Sequence, residues 1–424
     1  MGRIGIGTRP IIVLATWACF CAHPVTAQLA YNTNILPLGD KEALMGNTGT
    51  GGMGSTGAVF YNPAALMQLE GSSFSLSGSA YMVYSFEATP FVVFDDDRLD
   101  YKGSGFQSVP TSLVMARTMG DWRVAFSLLV PAQFKYEGQQ DWDFDLAGEP
   151  YRLKILQNYS ESMFLGGLSA AHRINERWSW GVSVHGQYFS YLSASDVRIS
   201  SLADPTRTAL STTRDQRAPI SAYVLGGLHR QGEKMGLGLR VALPSIRITG
   251  KGEHYAYEYL ALSGSTPTVQ ETDLTGLKAD FETPFDVRVG ATYRSSERVK
   301  LAMDASYGTG VAYDVVSGKG YSEREELEST YRLSAGAELG VQKQRAVLLG
   351  LSWAPSTVTN DGYTNTIAFV SYTAGVKLTL GRSETTVGYF GALGNGAQPY
   401  VEGTIAAEQR YRYNGAFLGT SVTL

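Results

Sequence analysis

Cysteine is nearly absent from this chain: there are two, Cys19 and Cys21, both within the first 27 residues. A disulfide framework and a cysteine-ligated metal centre are therefore excluded from everything that follows them. Histidine is also scarce, five in 424 residues, and no HExxH pair or GxSxG elbow occurs. The common hydrolase motifs are missing, so no enzymatic activity is expected. Basic residues do not exceed acidic ones, 35 against 39, which argues against a nucleic-acid partner. Beyond residue 22 no apolar run approaches the roughly 18 residues of a membrane helix. If the chain meets a bilayer, it does so as a closed β-barrel, which satisfies its own backbone in hydrocarbon.

What is present begins with a leader. Arg3 and Arg9 precede an apolar run from Ile11 to Ala22, and Val25-Thr26-Ala27 supplies small residues for cleavage. This predicts a cleaved signal peptide over 1–27, export, and a mature chain from Gln28. Residues 28–70 read as a small plug. Its glycine-rich stretch from Gly46 leads to Asn62-Pro63-Ala64, where a capping residue is followed by proline at the first position of one short helix ending near Leu69. Gly52-Met53-Gly54-Ser55-Thr56-Gly57 matches GxGxxG in letters, but no strand precedes it and no βαβ unit surrounds it. The glycines are read as backbone freedom, and no cofactor is expected.

From residue 71 to 424 the hydrophobic period is two. Phe285, Val287, Val289, Ala291 and Tyr293 alternate with Asp286, Arg288, Gly290, Thr292 and Arg294, and the same sorting recurs at residues 178–188, 236–243, 299–307 and 331–341. A soluble sandwich would alternate in the same way with its charges facing water, so alternation alone does not name the environment. The connections do. Short links near residues 118–121, 174–177, 231–234, 295–298, 342–344 and 382–384 alternate with long ones near 94–107, 133–157, 195–217, 249–282, 310–329, 354–365 and 394–410. That rhythm predicts an all-β, transmembrane antiparallel barrel of 14 strands, with tight periplasmic turns, long extracellular loops and the plug inside the lumen. Trp122, Trp178, Trp180, Trp353 and Tyr293 fall near strand ends, as aromatic girdles require. Ala416, Leu418, Val422 and Leu424 carry one apolar face to the end of a closing strand.

The segment GNTGTGGMGSTGAVFYNPAALMQL resembles the N-terminal hatch of the FadL/TodX family of outer-membrane transporters for long-chain fatty acids and hydrocarbons. Met235 to Glu253 and Thr283 to Arg294 are similar to strands of that family, the second through Pro284, Arg288, Gly290 and Tyr293. The resemblance implies passive, hatch-gated uptake of hydrophobic small molecules such as long-chain fatty acids, with Asn62, Pro63 and Ala64 as the hatch motif. It also implies an outer-membrane location in a Gram-negative-type bacterium, contact with membrane lipid and lipopolysaccharide, and a monomer. The third strand, from Trp122 to Pro131, resembles the family's kinked strand, whose bend opens a side exit. A rival reading is a FadL-like barrel that shuttles exported proteins at the cell surface.

Two sets of residues are singled out within the barrel. Arg123, His185, Arg240, Arg288, Asp304, Arg332, Glu338 and Lys377 fall on the polar phase of their strands, where they are expected to pair across a wet lumen and hold the plug. Tyr255, Tyr257, Tyr259, Leu260 and Leu262 make an unusually apolar loop segment and, with Leu202 and Leu210 of the preceding loop, are candidates for an outer groove that captures the ligand. Asp95, Asp96 and Asp97 are read as a solvated acidic loop, and no metal site is expected.

Overall fold

In strand Asp286–Ser296 the charged phase is buried and the oily phase exposed: Asp286 and Arg288 are 6% and 3% accessible, whereas Val289 is 52% accessible. A soluble protein sorts these residues the other way round. This inversion is what a lipid-facing barrel with a polar interior requires.

The computed structural model describes residues 36–94, 97–146, 148–261, 265–360, 363–399 and 406–424. The expected signal peptide lies outside them, and the plug is described from Leu36 onward. The strands are β1 (Ser73–Phe94), β2 (Asp97–Met119), β3 (Trp122–Leu146), β4 (Glu149–Arg173), β5 (Trp178–Ser201), β6 (Thr208–Gln231), β7 (Met235–Ala242), β8 (Ile246–Ala261) and β9 (Thr268–Ala279). They continue as β10 (Asp286–Ser296), β11 (Val299–Gly308), β12 (Val311–Gly318), β13 (Tyr321–Leu327), β14 (Thr330–Gln342), β15 (Arg345–Asn360), β16 (Tyr363–Leu380), β17 (Ser383–Pro399) and β18 (Ala406–Thr423).

These segments build a closed antiparallel barrel of 14 strands, because four barrel strands are each interrupted once. For example, β7 and β8 pair with successive stretches of β6, so together they form one strand broken at Leu243 to Ser245. Closure comes from β18, which runs beside β1 from Ser73↔Thr423 to Thr89↔Glu408. Its expected lipid face is outward, with Leu418 and Leu424 exposed.

One expectation is corrected. The long links are mostly strand, not loop: β3 and β4 stay paired from Trp122↔His172 to Leu146↔Glu149, apart from one irregularity between Leu129 and Ala132. At about 3.3 Å per residue, 25 residues span roughly 80 Å, far more than an apolar band about 25 Å tall even when tilted. The barrel therefore rises well above the bilayer, where the outer face is polar and meets water, so these stretches lack the lipid-facing apolar phase of a membrane strand and read as loop. Of the acidic loop, Asp95 and Asp96 lie outside the described residues.

Inside the cylinder the chain folds as α1 (Lys41–Leu44), α2 (Ala58–Tyr61) and a 3₁₀ helix, η1 (Pro63–Gln68). Three short helical turns thus replace the single helix expected. Asn62 is extended, and its Oδ1 accepts from the Ala64 amide at 3.1 Å, so the cap stands where the sequence puts it. Strand glycines let the plug backbone reach the wall. A Cβ on Gly238 would fall on the Thr50 carbonyl, and one on Gly350 on the Gly46 amide.

Gly238→Leu should therefore expel the plug without stopping barrel closure. The heat-modifiable gel shift of the folded barrel is expected to persist while limited proteolysis cuts between residues 46 and 61 much faster than in the wild type. Equal protease resistance would contradict the close approach.

Candidate functional site

The plug is held mainly by its main chain. Asp304 Oδ2 accepts from the Gly49 and Thr50 amides at 2.9 and 3.0 Å and from Thr50 Oγ1 at 2.9 Å, while Arg288 Nε lies 3.1 Å from the same oxygen. Arg288 also donates to the Asn47 carbonyl at 2.5 Å, Lys300 to that of Met53 at 3.3 Å, and Arg123 to that of Leu69 at 3.2 Å. Asn62 uses both ends of its amide. Beyond the cap, its Nδ2 donates to the carbonyls of Thr50, at 2.8 Å, and Leu228, at 3.1 Å, tying plug to wall. Ser179 and Ser183 of β5 donate to the Ala64 and Val59 carbonyls at 2.9 and 2.8 Å.

Two plug carboxylates sit in unusual surroundings. Burial pushes Glu42 up to about 7, against a hydrogen bond from Ser55, and its Oε2 meets no donor among the described residues. Burial likewise pushes Asp40 up to about 6, against the Ser75 hydroxyl that donates to it at 2.8 Å. Between them in sequence, Lys41 pairs with Glu384 at 2.8 Å.

On the long-hairpin side of the plug lies an ionic cluster. Asp286 pairs with both Arg240 and Arg332, the latter at 3.8 Å, and Arg240 also donates to the Phe60 carbonyl at 3.4 Å. A cavity of about 50 Å³ opens beside it, lined by Phe60, Met163, Leu165, Phe281, Leu327 and the Gln187 amide. That volume is far below the roughly 300–1,000 Å³ of drug-sized ligand sites, so this conformation is closed to a bulky ligand here. Under the plug, the short-turn mouth forms a recess of about 800 Å³, lined by nine basic and six acidic side chains and therefore net positive.

A second feature lies to one side. β2 and β3 share a ladder only from Met119↔Trp122 to Ser112↔Leu129, and Pro110 and Pro131 flank the point where it stops. Proline cannot donate to a ladder, and the β3–β4 register slips between Leu129 and Ala132. β3 nevertheless continues past Pro131 to Leu146. Beyond the break the two strands are bridged by side chains, with Gln107 donating to the Gln133 carbonyl at 3.2 Å and Gln140 to that of Lys102 at 2.7 Å. Facing inward are Tyr84, Phe86, Tyr101, Phe134, Tyr136, Tyr411 and Tyr413, a buried aromatic cluster with centroid spacings such as 4.8 Å for Phe86–Tyr411 and 5.0 Å for Tyr84–Phe134.

The eight expected lumen charges point inward. Arg240, Arg288, Asp304 and Arg332 gather in or beside the ionic cluster, Lys377 pairs with Glu338, Arg123 reaches the plug, and His185 lies 3.1 Å from the Ser127 hydroxyl. Of the groove candidates, Leu210 pairs with Tyr259, placing Tyr255, Tyr257 and Tyr259 with it on the outer face of the β6–β8 sheet, while Leu260, opposite buried Ala209, turns inward. Leu202 is exposed, and Leu262 lies outside the described residues. These residues do not share one face. Sequence reasoning does not find the aromatic cluster, because Tyr101, Tyr136 and their neighbours fall in stretches that read as loops. Inward-phase pairs such as Phe134/Tyr136 and Tyr411/Tyr413 are the signal that could have found it.

The fold is similar to that of several solved structures. A FadL homologue from Pseudomonas aeruginosa is 13% identical over 92% of this chain and 99% of its own, with a TM-score of 0.62. The toluene transporter TodX of P. putida is 14% identical, with the same coverages and a TM-score of 0.60. The monoaromatic hydrocarbon channel CymD is 14% identical over 92% of this chain and 98% of its own, at 0.55. No family model and no curated protein sequence matches the chain. At such identities the likeness establishes the fold.

Two outcomes follow from the anchorage. Asp304→Ala removes the carboxylate that faces the buried Arg288 guanidinium and accepts from two plug amides, a loss of about 3–5 kcal/mol for a broken buried pair. Asn62→Ala removes the cap and two ties, at about 2 kcal/mol. Leakage of a small hydrophilic dye from vesicles should rise in both, more in Asp304→Ala; unchanged leakage would count against plug anchorage. The carboxylates add a pH dependence. Both favour the neutral form when docked, so their contribution is complete below the ordinary carboxylate range and is lost as pH rises through about 6 for Asp40 and 7 for Glu42. Leakage should increase from pH 5 to pH 8, and Glu42→Gln should flatten the rise.

Proposed function

We propose that the chain is an outer-membrane channel of the FadL/TodX kind that takes up hydrophobic small molecules, long-chain fatty acids being one class, by passive diffusion past a movable plug. The observation that carries this reading is the pairing of an aromatic-walled lumen with an interruption in the β2–β3 ladder beside it. The likeness in fold to hydrocarbon channels supports it. A ligand would enter from the long-hairpin end, lodge among the aromatic rings, and leave through the unladdered stretch once the plug relaxes. Burial of apolar surface, at about 25 cal/mol per Å², supplies affinity without any reaction or cofactor. The short-turn mouth then faces the periplasm.

Plug movement is tested by tethering. Ser75 of β1 and Asp40 of the plug touch through their side chains at 2.8 Å, and the chain's own cysteines are confined to residues 19 and 21. In an Asp40→Cys/Ser75→Cys variant, uptake of a labelled fatty acid or toluene into vesicles should stop when the disulfide forms and return on reduction. Uptake that ignores the tether would remove the gating role. Mass spectrometry of the gently purified barrel should show bound lipid or hydrocarbon; a secreted polypeptide without lipid would favour the shuttle reading instead.

A further inference from the structure

The aromatic cluster is not purely apolar. Tyr101, Tyr136 and Tyr413 are 0%, 5% and 1% accessible, and their hydroxyls find no hydrogen-bond partner among the described residues. Oε1 of the buried Gln107 is in the same position, although its amide nitrogen is engaged with the Gln133 carbonyl. Such groups are costly, and phenylalanine would fill the same space without the polar atom. The hydroxyls are also not scattered. A Cβ built on Gly138 would strike both the Tyr136 and Tyr101 hydroxyls, so the two converge on one point of the β3 edge, beyond the place where its ladder with β2 ends. The Tyr84 hydroxyl presses in the same way on Gly105 of β2.

The rings that carry these hydroxyls pack among others: the Phe91 and Phe86 centroids lie 5.0 and 6.2 Å from that of Tyr101, and that of Phe86 6.4 Å from Tyr136, in the tilted or edge-on arrangements in which aromatic rings attract one another. A passage for plain hydrocarbon has no use for phenolic donors in its wall. A site built to hydrogen-bond an oxygen discriminates strongly for ligands that carry one, because its donors otherwise stay unpaired.

We propose that the Tyr101/Tyr136 pair at the β2–β3 interruption is a recognition site for aromatic molecules bearing a hydrogen-bond-accepting oxygen, such as aryl ketones and aryl esters, held with the ring among Phe86, Phe91 and Phe134 and the oxygen on the two phenolic hydroxyls. This assignment rests on the uptake reading above and narrows its substrate class. Both tyrosines act by touching the ligand.

Acetophenone and ethylbenzene share a skeleton and differ by the carbonyl, so they serve as matched probes in calorimetric titration of the full-length purified barrel. Tyr101→Phe/Tyr136→Phe should weaken acetophenone binding about tenfold, the value of one or two buried hydrogen bonds, and leave ethylbenzene within about twofold. Tyr136→Phe alone should give part of that loss, which keeps the test open if the double variant folds poorly. Equal changes for both probes, or no loss for acetophenone, would overturn the proposal. Ethylbenzene binding with no tyrosine-dependent preference for acetophenone removes this inference alone, whereas a wild-type protein that binds neither probe also undercuts the uptake reading.

Discussion

Everything in this molecule depends on carrying buried charge inside a cylinder whose outside is oil. Arg240, Arg288 and Arg332 with Asp286 and Asp304 lie within the barrel, and at such depth a charge is tolerable only when paired and hydrogen-bonded. The wall supplies some of that pairing. The plug supplies much of the rest, offering main-chain amides to Asp304 and carbonyls to Arg240, Arg288, Lys300 and Arg123. Plug and wall therefore solve one electrostatic problem together, and neither surface is complete without the other.

That shared solution explains what could be read in advance. In β10 the two strand phases face environments as different as lipid and an ionic cluster, so Asp286, Arg288 and Val289 sort cleanly by parity. Where a strand leaves the bilayer the contrast collapses. Asp141, Asp143 and Asp145 alternate with aromatic and apolar residues in β3, yet water bathes the outer face there and the stretch reads as loop although it is strand. The aromatic cluster sits partly in those misread stretches, through Tyr101, Phe134 and Tyr136. Asn62 was legible as a cap because its neighbours Pro63 and Ala64 are local. Its reach to Leu228, 166 residues away, is a tertiary fact that no local pattern carries.

Glycines make the same point from the other side. Gly227, Gly238 and Gly290 take the inward phase of their strands, and they are positions where the plug backbone lies against the wall. The contact itself excludes a side chain, which would occupy the space of Asn62, Thr50 or Gly51. An inward-phase glycine within an otherwise regular barrel strand thus marks a place where the plug can lie against the wall.

A plug fastened this way is suited to moving. Hydrogen bonds from side chains to a short irregular main chain are individually modest, about 1–3 kcal/mol each, and water can replace them when the segment shifts. An apolar seal over the same area would be harder to reopen, because its exposed surface would gain nothing from solvent. The closed cavity of about 50 Å³ requires such a shift before a bulky ligand can use that space. Asp40 and Glu42 bias it in one direction, since each buried carboxyl prefers to stay neutral while docked and to ionise once wetted. Asp40, which Ser75 of the wall holds, is thus also a group that gains from water on release, so the proposed opening would exchange partners rather than lose them.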